Sequence, residues 1–227
     1  MLQKDDFLAK APIALAPEGE LSTNKVLRNT YLLLSLTLMF SAVTAGIAMA
    51  TNAPPLHWLL TLGGYFGLLF VVTRLRNSVW GLAGVFALTG FLGYTLGPIL
   101  NFYLSMRGGS QVVMTALAGT GAIFLALSAY AVVSRKDFSF MGGFLMAGIL
   151  VAFLASLGAV LFSIPMLSLA VSAMFILLMS GMILWQTSEI IHGGETNYIM
   201  ATVTLYITIF NLFLSLLQIL GVVSGDD

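Results

Sequence analysis

Seven stretches of this chain hold no Asp, Glu, Lys or Arg: Tyr31–Ala50, Leu56–Thr73, Val79–Leu100, Val112–Val133, Phe140–Phe162, Pro165–Trp185 and Tyr198–Val222. A helix needs about 20 consecutive apolar residues to cross the ~30 Å hydrocarbon core of a bilayer. Within such a segment only a helix pairs every backbone N–H and C=O with a partner in the same segment. Seven charge-free runs of that length therefore predict an all-α membrane protein with seven transmembrane helices. The runs are too long and continuous for an outer-membrane barrel, whose strands alternate over about 10 residues. The composition agrees: 8% charged and 59% hydrophobic residues, with a mean hydropathy of +1.02, against about 25% charged in a soluble domain.

The spans occupy 31–222 as one transmembrane domain, between an N-terminal tail, 1–30, and a short end, 223–227. The tail carries Pro12, Pro17 and charges of both signs, a composition that predicts a flexible segment. Loop chemistry marks the boundaries: Pro54-Pro55, Arg74-Leu75-Arg76-Asn77, Arg107-Gly108-Gly109-Ser110 and Ser134-Arg135-Lys136-Asp137. Pro165 suits the first turn of the sixth helix. With the N-terminus in the cytoplasm, Lys4, Lys10, Lys25, Arg28, Arg74, Arg76, Arg135 and Lys136 all fall inside and only Arg107 outside. Eight of nine basic residues on one side set the orientation by the positive-inside rule, N-terminus in and C-terminus out. Ala48-Met49-Ala50 resembles a signal-peptidase site, but the long apolar run before it, and the acids Asp5, Asp6, Glu18 and Glu20 ahead of that run, do not fit a cleaved leader.

Helices in lipid associate by close backbone approach and by hydrogen bonds, not by burying oil from water. Gly63 and Gly67, Gly93 and Gly97, and Gly143 with Ala147 and Gly148 have the spacing of such packing faces. The seventh span adds a polar stripe: Ala201, Thr204, Thr208, Asn211, Ser215 and Gln218 recur at steps of 3, 4, 3, 4 and 3, which places them on one helical face. From Thr204 to Gln218 the stripe rises about 21 Å at ~1.5 Å per residue. Unpaired amides in hydrocarbon cost several kcal/mol each, so the stripe faces protein or water and the seventh helix is expected in the interior. Two readings stay open: a hydrogen-bonded packing seam, or a narrow polar path lined by Thr204, Thr208, Asn211, Ser215 and Gln218.

The missing residue types restrict function. With no cysteine and two histidines, thiolate chemistry and Cys-based metal centres are excluded. The formal net charge is zero, which gives nucleic acid nothing to bind. No H-E-x-x-H motif, pair of intramembrane aspartates or phosphate-cradling loop is present, and no span holds the ionisable group that pumps and proton-coupled carriers place at depth. A non-enzyme without cofactor, catalytic residue or built metal site is expected. One polar cluster stands out in the connection Gln186–Asn197, where Glu189, His192 and Glu195 form a cytoplasmic polar loop. It reads either as a weak divalent-cation (Ca2+) site or as a hydrated turn with Gly193-Gly194 ending the sixth helix.

Three segments, Lys25–Tyr31 (KVLRNTY), Thr89–Asn101 (TGFLGYTLGPILN) and Ile190–Ile199 (IIHGGETNYI), with shorter echoes at Ser134–Asp137 and Asn211–Leu217, make the chain similar to bacterial members of the Bax inhibitor-1, or transmembrane Bax-inhibitor-motif, family. The resemblance covers all but the first 24 residues of the tail. It implies six helices surrounding a central seventh helix, and residence in the bacterial inner membrane. It also implies contact with an FtsH-type membrane ATP-dependent protease and its membrane accessory proteins, as an inhibitor that is itself a slow substrate through its N-terminal tail. The alternative that it implies is a calcium leak. Relatives of that kind gate with two aspartates, and the matching positions here are Gln186 and Thr208, which do not titrate near neutral pH.

Overall fold

The computed structural model describes residues 18–225. It is all-helical: α1 (Glu18–Ala50), α2 (Trp58–Leu75), α3 (Val79–Leu104), α4 (Gly109–Ser134), a single 3-10 turn (Ser139–Met141), α5 (Gly142–Leu161), α6 (Pro165–His192) and α7 (Tyr198–Gly225). All seven α-helices are long and apolar enough to cross a membrane. Their ends follow local chemistry. Ser78 caps α3 by accepting from Trp80 N, His57 does the same for α2 through Leu59 N, and Pro165 sits in the first turn of α6. Gly193 closes α6 at φ 78°, in the left-handed region that glycine enters without a Cβ penalty.

Two boundaries differ from the sequence expectation. Residues 18–30, assigned above to a flexible tail, belong to α1; residues 1–17 lie outside the described part. Helix α6 continues past Trp185 to His192, so Glu189 and His192 stand on its last two turns, and only Gly193–Asn197 forms the loop. Burial explains this second difference. Gln186, Thr187 and Ser188 are buried among partners on neighbouring segments, and a polar run that looks like a loop in isolation is a helix face turned inward.

Helices α1 and α3 form the most extensive pair, and glycine makes it possible. A Cβ at Gly93 would collide with the Ser41 carbonyl oxygen and one at Gly97 with Ala48 Cβ. This is the close backbone approach expected of small residues in lipid. Gly148 is equally tight against Leu178. Gly63, Gly67 and Gly143 are different: they are exposed and have nothing within 4 Å of a Cβ position, so they pack against no other helix of this chain.

Helix α7 packs on α1, α3, α4 and α6, while α2 rests mainly on α3 and α5 on α6. Three apolar clusters fill the bundle, and α7 contributes to each: Val203, Leu205 and Tyr206 to the first, Leu212 to the second, Phe213 and Leu217 to the third. The outer faces of α2 and α5 present Phe66, Phe70, Phe144 and Leu150 outward, as helices bounded by acyl chains do. Loops at the Arg76 and Arg135 end are tied to α6 and α7, and at the other end Asn101 Nδ2 donates to Met49 O at 3.2 Å, fastening α3 to the end of α1.

Candidate functional site

Along α7 the polar stripe is buried or half-buried throughout, yet two of its four side-chain hydrogen bonds stay within the helix. Thr208, 2% exposed, donates from Oγ1 to Thr204 O at 2.7 Å, and Asn211 Nδ2 donates to Ile207 O at 2.8 Å. Hydroxyl and amide donors commonly spend themselves this way on a carbonyl four residues back. Gln218 reaches across instead: Ser172 Oγ donates to its Oε1 at 2.6 Å, and its Nε2 donates to Ser168 Oγ. The stripe is thus stitched to α6 at Gln218. Ser215 is 6% exposed.

A second polar contact lies on the opposite face of α7, off the stripe. Tyr206, 1% exposed, places its hydroxyl 2.5 Å from Ser41 Oγ on α1 and donates to Thr89 O on α3 at 3.2 Å. Three helices meet at this hydroxyl. Sequence periodicity passed over it because tyrosine reads as an apolar position. The signal was there in Ser41 and Thr89, polar residues inside otherwise oily spans.

Towards the Arg135 end, Tyr31 of α1 hydrogen-bonds Ser128 of α4 and lies 3.4 Å from Thr187 Oγ1 of α6. Gln186 beside them is 3% exposed, and its Nε2 has no hydrogen-bond partner; Thr30 Oγ1 is also unpaired. The Gln186 amide therefore donates no hydrogen bond to Thr208, whose own hydroxyl donates to Thr204 O. A buried unpaired donor costs about 1–3 kcal/mol. Gln186→Leu is therefore expected to stabilise the protein by about 1–2 kcal/mol, taking the lower part of that range, read as a higher SDS fraction at the unfolding midpoint. A lower midpoint would mean that the amide is satisfied in the membrane.

The three residues of the expected polar loop are held apart by separate structural duties. His192 Nδ1 lies 2.9 Å from Ser188 O and its Nε2 lies 3.2 Å from Arg135 O, and Phe138 N donates to Ser188 Oγ at 2.9 Å. Together these contacts clip the α4–α5 loop onto α6. In that loop, side-chain and backbone hydrogen bonds from Ser139, and more weakly the His192 charge, hold the Asp137 carboxyl below its ordinary range. Glu195 Oε1 accepts from Asn197 N at 2.7 Å. Asn197 Oδ1 accepts from Ile199 N and Met200 N, capping α7, while its Nδ2 donates to Asn77 Oδ1 at 2.8 Å and to Arg76 O at 3.0 Å. Glu189 sits against Gly194. Among the described residues no group of three His, Asp or Glu is placed together as metal ligands.

Residues 23–225 match the family model described as inhibitor of apoptosis-promoting Bax1. The chain is 54% identical over 206 residues to the modulator of FtsH protease YccA of Escherichia coli K12, covering 91% of this chain and 94% of that protein. The same identity relates it to the inner membrane protein YccA of E. coli O6:H1. An uncharacterized protein of Pseudomonas aeruginosa is 53% identical over 94% of this chain and 96% of its own length.

Proposed function

The chain belongs to the family of the inhibitor of apoptosis-promoting Bax1, and from that membership we propose that it is a non-catalytic, multi-pass inner-membrane protein that binds and restrains an FtsH-type ATP-dependent protease. The observation that carries this reading is the 54% identity, end to end, with a protein named for modulating that protease. The match covers 91% of this chain and 94% of that protein. The placement of Lys25, Arg28, Arg74, Arg76, Arg135 and Lys136 supports a cytoplasmic N-terminus and a periplasmic C-terminus.

In this reading the first residues of the chain are the handle that the protease engages, and the bundle behind them resists extraction. Support for the resistance comes from the α1–α3 contact through Gly93 and Gly97 and from the share of α7 in all three clusters. We read α7 as the axis of the bundle: its contacts with α1, α3, α4 and α6 favour a central place, while α2 and α5 surround it at one remove, on α3 and α6. The membrane accessory proteins of the protease and the surrounding lipid are the further partners in this reading.

The rival reading, a calcium leak along α7, has weaker support. Thr208 and Asn211 spend their donors on α7 itself, and the acidic pair is replaced by Gln186 and Thr208. The two are separated by a degradation assay in cells carrying the protease. Raising the level of this protein is expected to lengthen the half-life of another membrane substrate of the protease, and deleting residues 1–20 is expected to slow its own degradation. Unchanged turnover of both proteins would overturn the proposal. Calcium flux in liposomes, abolished by Thr208→Leu, would establish the rival.

A further inference from the structure

Helices α1 and α4 both pack on α7, and between them lies a cavity of about 390 Å³. Its walls are Ala42, Ala45 and Gly46 of α1 and Leu117 and Gly121 of α4, with Phe213 of α7 in the floor. The space exists because side chains are missing: nothing lies within 4 Å of a Cβ position at Gly46 or Gly121. Ala42, Gly46 and Leu117 are exposed while Ala45, Tyr206 and Phe213 are buried, so the cavity opens sideways, toward lipid.

We propose that this groove holds one acyl chain of a bilayer phospholipid, from the leaflet at the Arg107 end of the bundle, as a bound component of the folded protein. Length is the first argument. On α1 the lining runs from Leu38 to Met49, a rise of about 16 Å at ~1.5 Å per residue. That matches half of the ~30 Å hydrocarbon core, the reach of one leaflet's chains. Those residues lie in the second half of the span, next to Ala50, which fixes the leaflet.

Polarity is the second argument. The three polar side chains in the lining are already engaged: Ser41 with the Tyr206 hydroxyl, Tyr206 also with Thr89 O, and Thr120 Oγ1 with Ala116 O at 2.7 Å. No free donor or acceptor there calls for an ion or a peptide, and an apolar cavity does not hold water. Left empty, its walls would forfeit dispersion contacts.

The test uses the full-length protein in phosphatidylethanolamine and phosphatidylglycerol vesicles. The vesicles are doped with a phosphatidylethanolamine that carries a diazirine within one acyl chain. After irradiation, peptide mass spectrometry is expected to find adducts on residues 38–49 and 117–124 several-fold above those on the outward faces of α2 and α5. Gly46→Leu with Gly121→Leu fills open space and is expected to abolish that excess while leaving the unfolding midpoint unchanged or higher. Equal labelling of all outward faces in the wild-type protein would overturn the proposal. So would a discrete protein adduct captured in cells by a photoreactive residue at Leu117, which would make the occupant a partner's helix.

Discussion

Gly93→Leu is expected to abolish the close pairing of α1 with α3 and to leave little folded protein after extraction. The obstacle to a side chain at this position is the Ser41 backbone carbonyl, with the Ser41 and Thr44 hydroxyls beside it. Backbone cannot swing aside as the tip of a flexible side chain can. Overpacked cores lose about 1–3 kcal/mol and sometimes more, and a collision with backbone in the most extensive helix pair belongs at the top of that range or above it. The comparison that gives the result meaning is Gly67→Leu. Gly67 looks identical in sequence, but open space surrounds it, and its substitution is expected to shift stability by less than about 0.5 kcal/mol, as ordinary surface changes do. SDS-titration midpoints of the two variants measure the difference. Equal losses would show that α2 also meets a partner through Gly63 and Gly67.

Tyr206→Phe is expected to produce the second large effect. It removes one oxygen atom and with it the two hydrogen bonds that join three helices. Hydrogen bonds between membrane helices average about 0.6 kcal/mol and reach about 1.7, well below what burial in hydrocarbon alone suggests, because the separated helices find other partners. Here one hydroxyl serves both Ser41 and Thr89, so a loss of about 1–2 kcal/mol is expected, toward the upper end of the membrane range. Gly93 and Tyr206 both act on Ser41. A double-mutant cycle with Gly93→Ala is therefore expected to be non-additive, as for neighbouring sites in general. Additive losses would mean that the α7 hydroxyl and the α1–α3 contact are energetically separate.

The fold was legible because lipid imposes a coarse rule: charge-free runs of the right length mark helices, and all seven spans lie within or overlap the observed helices. Pro165 marked the start of α6, and Gly193 marks its end, seven residues beyond the end of the apolar run at Trp185. The sequence was less informative wherever a residue's meaning depends on what faces it. Gln186, Thr187 and Ser188 read as loop because they are polar, and only the apposition of Tyr31, Ser128 and the 135–138 segment makes them a helix face. Gly63–Gly67 and Gly93–Gly97 share one pattern, and nothing local says that the second pair meets α1 while the first meets no helix of this chain. The stripe on α7 was visible, but the bonds of Thr208 and Asn211 to their own backbone were not, since spacing cannot tell a hydroxyl that crosses to a neighbour from one that folds back. Tyr206 was hidden by its ring.

The share of α7 in all three apolar clusters also has a bearing on biogenesis. It leaves the ribosome after the other six helices, so each cluster waits, unfinished, until α7 has been made. Until then Ser41 and Thr89 lack the tyrosine that joins them, and Ser168 and Ser172 lack their glutamine. A nascent chain of six helices is thus a loose assembly that the insertion machinery must hold. Docking of the seventh helix is the single criterion that separates this assembly from the closed bundle.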